Sequence, residues 1–182
     1  MPKHPGIITV LLADDHPATR AGIRAMLSKH PDIQVVGEAE SGNEVEKLVD
    51  ELCPQILLLD LVMPGPAPAE LERRIREKHP EVITLVLTAH DRDAYLANMI
   101  DAGVSGYLHK TERAERLAEA IRRAAHGEIL FDSEQLKRAR DWREGAGKKW
   151  ESLTRREREI LRLLGQGFDN VAIGKKLVVS PK

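Results

Sequence analysis

The side chains in this chain that could do chemistry together are two tandem aspartates, Asp14 and Asp15, then Asp60, Thr88 and Lys110, at separations of 45, 28 and 22 residues. Carboxylates brought close repel one another, and a divalent cation relieves that repulsion. Donors that are all oxygen point to Mg2+, which prefers octahedral geometry and keeps several waters. A carboxylate beside such an ion can attack phosphorus and form an aspartyl phosphate. A hydroxyl and an ammonium opposite it can hold the phosphoryl oxygens in the transition state and afterwards. Any one of the five, taken alone, reads as a strand-end cap or a solvated charge. They carry a site only if the fold gathers them.

The elements that would gather them follow from hydrophobic period. Residues 7–13, 33–37, 55–60, 82–87 and 104–108 are apolar, β-rich runs that read as five strands. Between them lie helical patterns. Pro17 opens the first, with Ile23, Met26 and Leu27 on one face. Ser41 and Glu44 form a capping box before Val45, Leu48, Val49 and Leu52. Residues 68–78, 91–102 and 112–125 are the remaining three, with Gly103 and Gly127 as stops. Strands that alternate with helices require right-handed crossovers and a parallel sheet covered on both faces. Near-continuous apolar strands suit that burial. The fold class is therefore α/β, a flavodoxin-like doubly wound five-stranded parallel sheet. Ligands bind at the carboxyl edge of such a sheet. Asp14 and Asp15 follow the first strand, Asp60 ends the third, Thr88 the fourth and Lys110 the fifth, so all five fall on that edge.

Charge divides the chain. It carries 28 basic and 29 acidic side chains, a net charge of −1, but residues 1–135 sum to −8 and residues 136–182 to +7. The basic part is a candidate for nucleic acid, with a merely solvated helix as the alternative. Cys53 is the single cysteine, which excludes an internal disulfide and a thiolate metal cluster, and it reads as a small buried or half-buried hydrophobe. No apolar run approaches the ~18 residues that span a bilayer. The N-terminus runs directly into the first strand, so no signal peptide, no membrane partner and a cytoplasmic location are expected.

Residues 128–152 read as a linker with a helix near 133–143 and with Trp142 and Trp150, which either meet a partner surface or cover the first domain. Thr154 and Glu157 form another capping box, before Ile160, Leu161, Leu163 and Leu164. A short helix over 170–177 follows, and Ser180-Pro181 has the pattern of a further helix start. The expected division is a domain at 1–127, a linker at 128–152, and the first part of a partial all-α helix-turn-helix at 153–182.

Leu12-Ala13-Asp14-Asp15-His16, Leu58-Leu59-Asp60-Leu61-Val62-Met63-Pro64-Gly65, Leu87-Thr88-Ala89 and Gly103-Val104-Ser105-Gly106-Tyr107-Leu108-His109-Lys110 resemble the receiver domain of bacterial two-component response regulators over residues 7–126. The resemblance implies that Asp60 accepts a phosphoryl group from a sensor histidine kinase. It implies Mg2+ at Asp15, Asp60 and the backbone carbonyl of Val62, with Asp14 acting directly or through water. Thr88 and Lys110 would contact the phosphoryl group, and Thr88 and Tyr107 would form the switch. Departures are visible. Pro66-Ala67-Pro68-Ala69 replaces the usual Met, Asp or Asn, Gly continuation. Thr111, a candidate N-cap, replaces the usual Pro after Lys110. Val62 and His90 occupy the two positions that in the family modulate dephosphorylation, and an apolar Val62 cannot orient a water.

Residues 153–161 and 167–177 resemble the opening of the LuxR-type helix-turn-helix of the NarL/FixJ subfamily. The match covers two helices, and the recognition helix would only begin at Ser180. The expectation is a phosphorylation-activated DNA-binding regulator that dimerises when phosphorylated. As given, the chain is expected to lack specific operator binding and to keep weak phosphate contacts through Arg155, Arg156, Arg158, Lys175 and Lys176. No catalytic turnover is expected beyond self-phosphorylation and slow autodephosphorylation at Asp60. The alternative is a receiver-type signalling module without DNA output. A third reading is a haloacid-dehalogenase-like phosphohydrolase, which lacks support because Val62 stands where its second Asp is required.

Overall fold

A computed structural model describes residues 6–165. The elements alternate as β1 (Ile8–Ala13), α1 (Pro17–Leu27), β2 (Ile33–Ala39), α2 (Gly42–Leu52), β3 (Ile56–Leu59), α3 (Pro68–Lys78), β4 (Ile83–Thr88), α4 (Asp93–Ala102), β5 (Gly106–His109) and α5 (Ala114–Ala125). The five strands pair in parallel in the order β2-β1-β3-β4-β5. This is the expected doubly wound sheet.

Strand alternation sends neighbouring residues to opposite faces. Val10, Leu12, Ile56, Leu58, Leu85 and Leu87 pack with Ile23 and Leu27 of α1 and Leu117 and Ile121 of α5 in one core. Leu11, Leu57, Leu59 and Val86 take the other parity and are fully buried as well. Helices α2, α3 and α4, which adjoin one another in turn, supply buried Val45, Val49, Leu71, Ile75, Leu96 and Met99. Both faces being covered explains the near-continuous apolar runs of β1, β3 and β4.

Several boundaries differ from the pattern-based reading for local reasons. β2 runs on through Glu38 and Ala39 because these continue the ladder beside Leu12 and Ala13. Thr111 does not cap α5; its hydroxyl lies 2.7 Å from His109 Nδ1, and Arg113 takes the N-cap position. Cys53 is exposed rather than buried: it closes α2 in the left-handed region at φ 44°, its N–H donating to Val49 O. Gly65 sits at φ 124°, and a Cβ there would lie 3.1 Å from the Gly42 backbone nitrogen. The loop after Asp60 can therefore lie flat on the start of α2, where Gly42 N–H donates to Pro64 O at 2.8 Å.

Two compact units divide the chain, Met1–Ala139 and Arg140–Lys182. The first thus takes in residues beyond 127, including most of α6 (Ser133–Trp142). In the second, a π-helical segment (Arg143–Gly147) leads into α7 (Lys148–Ser152) and α8 (Arg155–Gly165). The expected capping box opens α8: Glu157 N–H donates to Thr154 Oγ1 at 3.3 Å, and Thr154 N–H to Glu157 Oε2 at 2.7 Å. The helix expected at 170–177 and the start at Ser180-Pro181 lie outside the described residues.

Candidate functional site

β1, β3 and β4 are adjacent, and a polar residue stands at the end of each or just after it, because the apolar run stops where the sheet stops. Asp14 is 1% exposed, Asp60 3% and Thr88 0%, so these groups are sunk into the carboxyl edge. Main-chain bonds fix their depth. Asp60 N–H donates to Ala13 O at 2.9 Å, Asp14 N–H to Ala39 O at 3.0 Å, and Lys110 N–H to Thr88 O at 2.9 Å. Buried carboxylates need compensation. The Lys110 ammonium supplies it, 2.7 Å from Asp14 Oδ2 and 2.8 Å from Asp60 Oδ2. Burial lowers the proton affinity of Lys110, but its bonds to Asp14 and then Asp60 outweigh that and raise its pKa above the usual lysine value. It is a fixed positive charge at neutral pH. The other Asp60 oxygen, Oδ1, accepts the Leu61 N–H at 2.8 Å.

Asp15 is the outer carboxylate. His16 folds over it with Nδ1 2.6 Å from Asp15 Oδ1, while His16 N–H donates to Asp14 Oδ1 at 2.9 Å. Donor atoms of Asp14, Asp15 and His16 lie within 4.8 Å of one another. Asp14 and Asp60 share the Lys110 ammonium, and Asp15 adds a third carboxylate nearby, so oxygen donors and negative charge are in excess at this edge. That donor set fits a hard divalent cation. Val62, whose carbonyl is the remaining candidate ligand, has a side chain 42% exposed beside the site.

Thr88 Oγ1 accepts the His90 N–H at 3.2 Å. Tyr107 is 5% exposed, and its hydroxyl donates to His90 O at 2.7 Å. Burial, and then the nearby Asp91 carboxylate, push the Tyr107 pKa upward, so the phenol stays a donor at physiological pH. The fold thus brings together Asp14, Asp15, Asp60, Thr88 and Lys110 on one edge, with Tyr107 one step behind Thr88. Arg155 and Arg156 are exposed on α8, and Arg158 donates to Leu153 O at 3.0 Å. Lys175 and Lys176 lie outside the described residues.

One supporting residue escaped the motif reading. Arg20 of α1 is buried, donates to Asp14 O at 2.6 Å, and pairs with Glu38 at 3.3 Å and with Glu40. A guanidinium three residues before Ile23 and seven before Leu27 sits on the apolar stripe of its helix. A charge on a buried stripe was the signal available.

Residues 10–122 match the family described as response regulator receiver domain, and residues 151–182 match bacterial regulatory proteins of the luxR family. The chain is 38% identical over 166 residues to the response regulator protein VraR of Staphylococcus aureus, covering 91% of this chain and 79% of that protein. A LuxR-family two-component response regulator from an Aurantimonas species superposes with a TM-score of 0.68 at 31% identity, covering 75% of this chain and 98% of the other. RcsB from Salmonella enterica serovar Typhimurium, solved bound to promoter rprA with the phosphomimetic BeF3-, gives a TM-score of 0.65 at 29% identity over 96% of this chain and 85% of the other.

Proposed function

The chain belongs to the response regulators, with a receiver domain followed by a LuxR-type DNA-binding domain, and on that premise we propose that Asp60 is its phosphoacceptor and the acidic edge its Mg2+ site. The observation that carries the proposal is the convergence of Asp14, Asp60, Thr88 and Lys110 at the carboxyl ends of three adjacent strands and the residue after β5. The luxR-family match at 151–182 favours transcriptional output over a signalling module that ends at the receiver.

In this reading a sensor histidine kinase presents a phosphohistidine. An Asp60 carboxylate oxygen attacks phosphorus, the new O–P bond forms as the N–P bond breaks, and the electron pair returns to the imidazole. Lys110 neutralises the incoming phosphoryl oxygens, and Thr88 donates to them. Asp14, Asp15, Asp60 and the Val62 carbonyl would hold Mg2+, which when bound supplies positive charge against the phosphoryl oxygens. Thr88 and Tyr107 then report the new charge to the segment between β4 and α4. The reading includes a homodimer of the phosphorylated protein and contacts to DNA phosphates from Arg155, Arg156 and Arg158. It also places the protein in the cytoplasm; no helix among the described residues is long and apolar enough to cross a membrane.

Incubation with acetyl phosphate and Mg2+ should add one phosphoryl group per chain, a chelator should suppress it, and borohydride reduction with peptide mapping should locate it at Asp60. Labelling elsewhere, or sustained turnover of a generic phosphate ester, would overturn the proposal. A second expectation concerns lifetime. Val62 offers no hydrogen bond to a water near Asp60, so Val62→Asn should shorten the phosphoaspartate half-life several-fold. Equal decay rates in a chase after donor removal would count against it.

A further inference from the structure

Residues 89–92, between β4 and α4, are held by donors from two elements. His109 Nε2 of β5 lies 3.3 Å from Ala89 O, and the Tyr107 hydroxyl donates to His90 O at 2.7 Å. Arg138 of α6 donates to both carboxylate oxygens of Asp91, at 2.8 and 3.0 Å, and to Asp93 at 2.8 Å. On the opposite side, the same segment donates its His90 N–H to Thr88 Oγ1 at 3.2 Å. The hydroxyl that would meet a phosphoryl group is therefore one short stretch of backbone away from the carboxylate that Arg138 grips.

Helix α6 is itself anchored. Asp132 Oδ1 accepts the Gln135 N–H at 2.7 Å, and Gln135 Oε1 accepts the Asp132 N–H at 3.2 Å. The Gln135 amide then reaches β5, donating to Tyr107 O at 2.9 Å. Just before the helix, Leu130 N–H donates to Ser105 O at 2.6 Å. That approach requires Gly106, where a Cβ would lie 3.0 Å from Leu130 Cβ. The start of α6 is thus fixed to β5, and its second turn to the segment behind Thr88.

Building on the assignment of Asp60 and Thr88 above, we propose that α6 is a clamp on the phosphoryl-responsive segment, with Arg138 as its positioning residue, so that phosphorylation of Asp60 and docking of α6 oppose each other. A phosphoryl oxygen on Asp60 recruits the Thr88 hydroxyl. Drawing that hydroxyl inward pulls His90 and Asp91 with it and away from Arg138. The side chains of Arg138, Asp91 and Asp93 are 27%, 54% and 48% exposed, so the pairs are partly screened and yield to a new charge in the pocket. The forked guanidinium gives the grip its geometry, which a lysine cannot reproduce. Linkage makes the effect reciprocal: whatever factor the phosphoryl group takes from α6 docking, loss of Arg138 returns as affinity for the phosphoryl group.

The test uses the 182-residue chain with beryllofluoride and Mg2+ as the phosphoryl mimic. Hydrogen exchange of the 134–139 amides should rise in the wild type when the mimic binds. Arg138→Met should exchange fast without the mimic and bind it roughly fivefold more tightly or better. Arg138→Lys should fall between. Equal exchange with and without bound mimic, or wild-type mimic affinity in Arg138→Met, would overturn the clamp. Absence of mimic binding in every variant would instead bring down the Asp60 assignment, and the clamp with it.

Discussion

Asp60→Asn is expected to reduce phosphoryl uptake from acetyl phosphate to background while leaving the fold intact. The amide is nearly isosteric, and its oxygen can still accept the Leu61 N–H that Asp60 Oδ1 now accepts at 2.8 Å. Lys110 keeps its pair with Asp14 at 2.7 Å, so no ammonium is left buried and alone. What disappears is the proposed nucleophile, because a carboxamide oxygen carries no charge to deliver to phosphorus. Asp14 keeps its own contacts in the variant, one oxygen on Lys110 and the other accepting the His16 N–H at 2.9 Å. Asp15 sits further out, held by His16 at 2.6 Å. The cluster also loses one negative charge, so Mg2+ should bind more weakly in the variant. Intact-mass spectrometry reads the uptake, and a thermal melt with and without Mg2+ reads the fold and the ion. Incorporation in the variant above a few per cent of wild type would move the nucleophile to another residue.

The sheet and the gathering of most of the candidate site on one edge were legible because burial on both faces writes itself as apolar runs, and the first polar residue after each run marks the sheet edge. Asp60 after Leu57-Leu58-Leu59 and Thr88 after Leu85-Val86-Leu87 are such marks. Arg20 and Gln135 were less legible. Arg20 is a charged residue on a buried stripe, and its partners Glu38 and Glu40 come from the far end of β2. Gln135 and Arg138 act across 28 and 47 residues on a backbone oxygen and on a loop carboxylate, contacts with no period in the sequence. The exposed Cys53 shows the converse: an apolar neighbourhood in the chain suggested burial, but the left-handed turn that ends α2 carried it outward.

Glu72 illustrates the same kind of anomaly and supports a stability prediction. It stands between Leu71 and Ile75 on α3 and is only 1% exposed. Its Oε2 and the facing Thr84 Oγ1 are both buried without a hydrogen-bond partner. Burial raises its pKa, with only a partial offset from Arg76 and from the nearby Thr84 hydroxyl, which makes no well-formed hydrogen bond to it. Arg76 is engaged elsewhere, donating to Gly103 O at 2.6 Å. Glu72→Leu removes an under-satisfied polar group and fills a similar volume with carbon. It should stabilise the fold at pH 7 by about 1–3 kcal/mol, which raises Tm by several degrees, at roughly 2–4 °C per kcal/mol for a chain of this size. Glu72→Gln should gain less, because its amide is still poorly satisfied. The sign of the pH dependence follows from the raised pKa. The proton on Glu72 favours the folded state, so its stabilisation is complete below the unfolded value of 4.5 and is lost as pH rises through the folded value. The advantage of Glu72→Leu over wild type should therefore widen from acidic toward neutral pH and narrow again near pH 4.5. Denaturant unfolding of both proteins across that range measures it. A difference independent of pH, or a less stable Glu72→Leu protein, would show that the carboxylate is satisfied in the folded state.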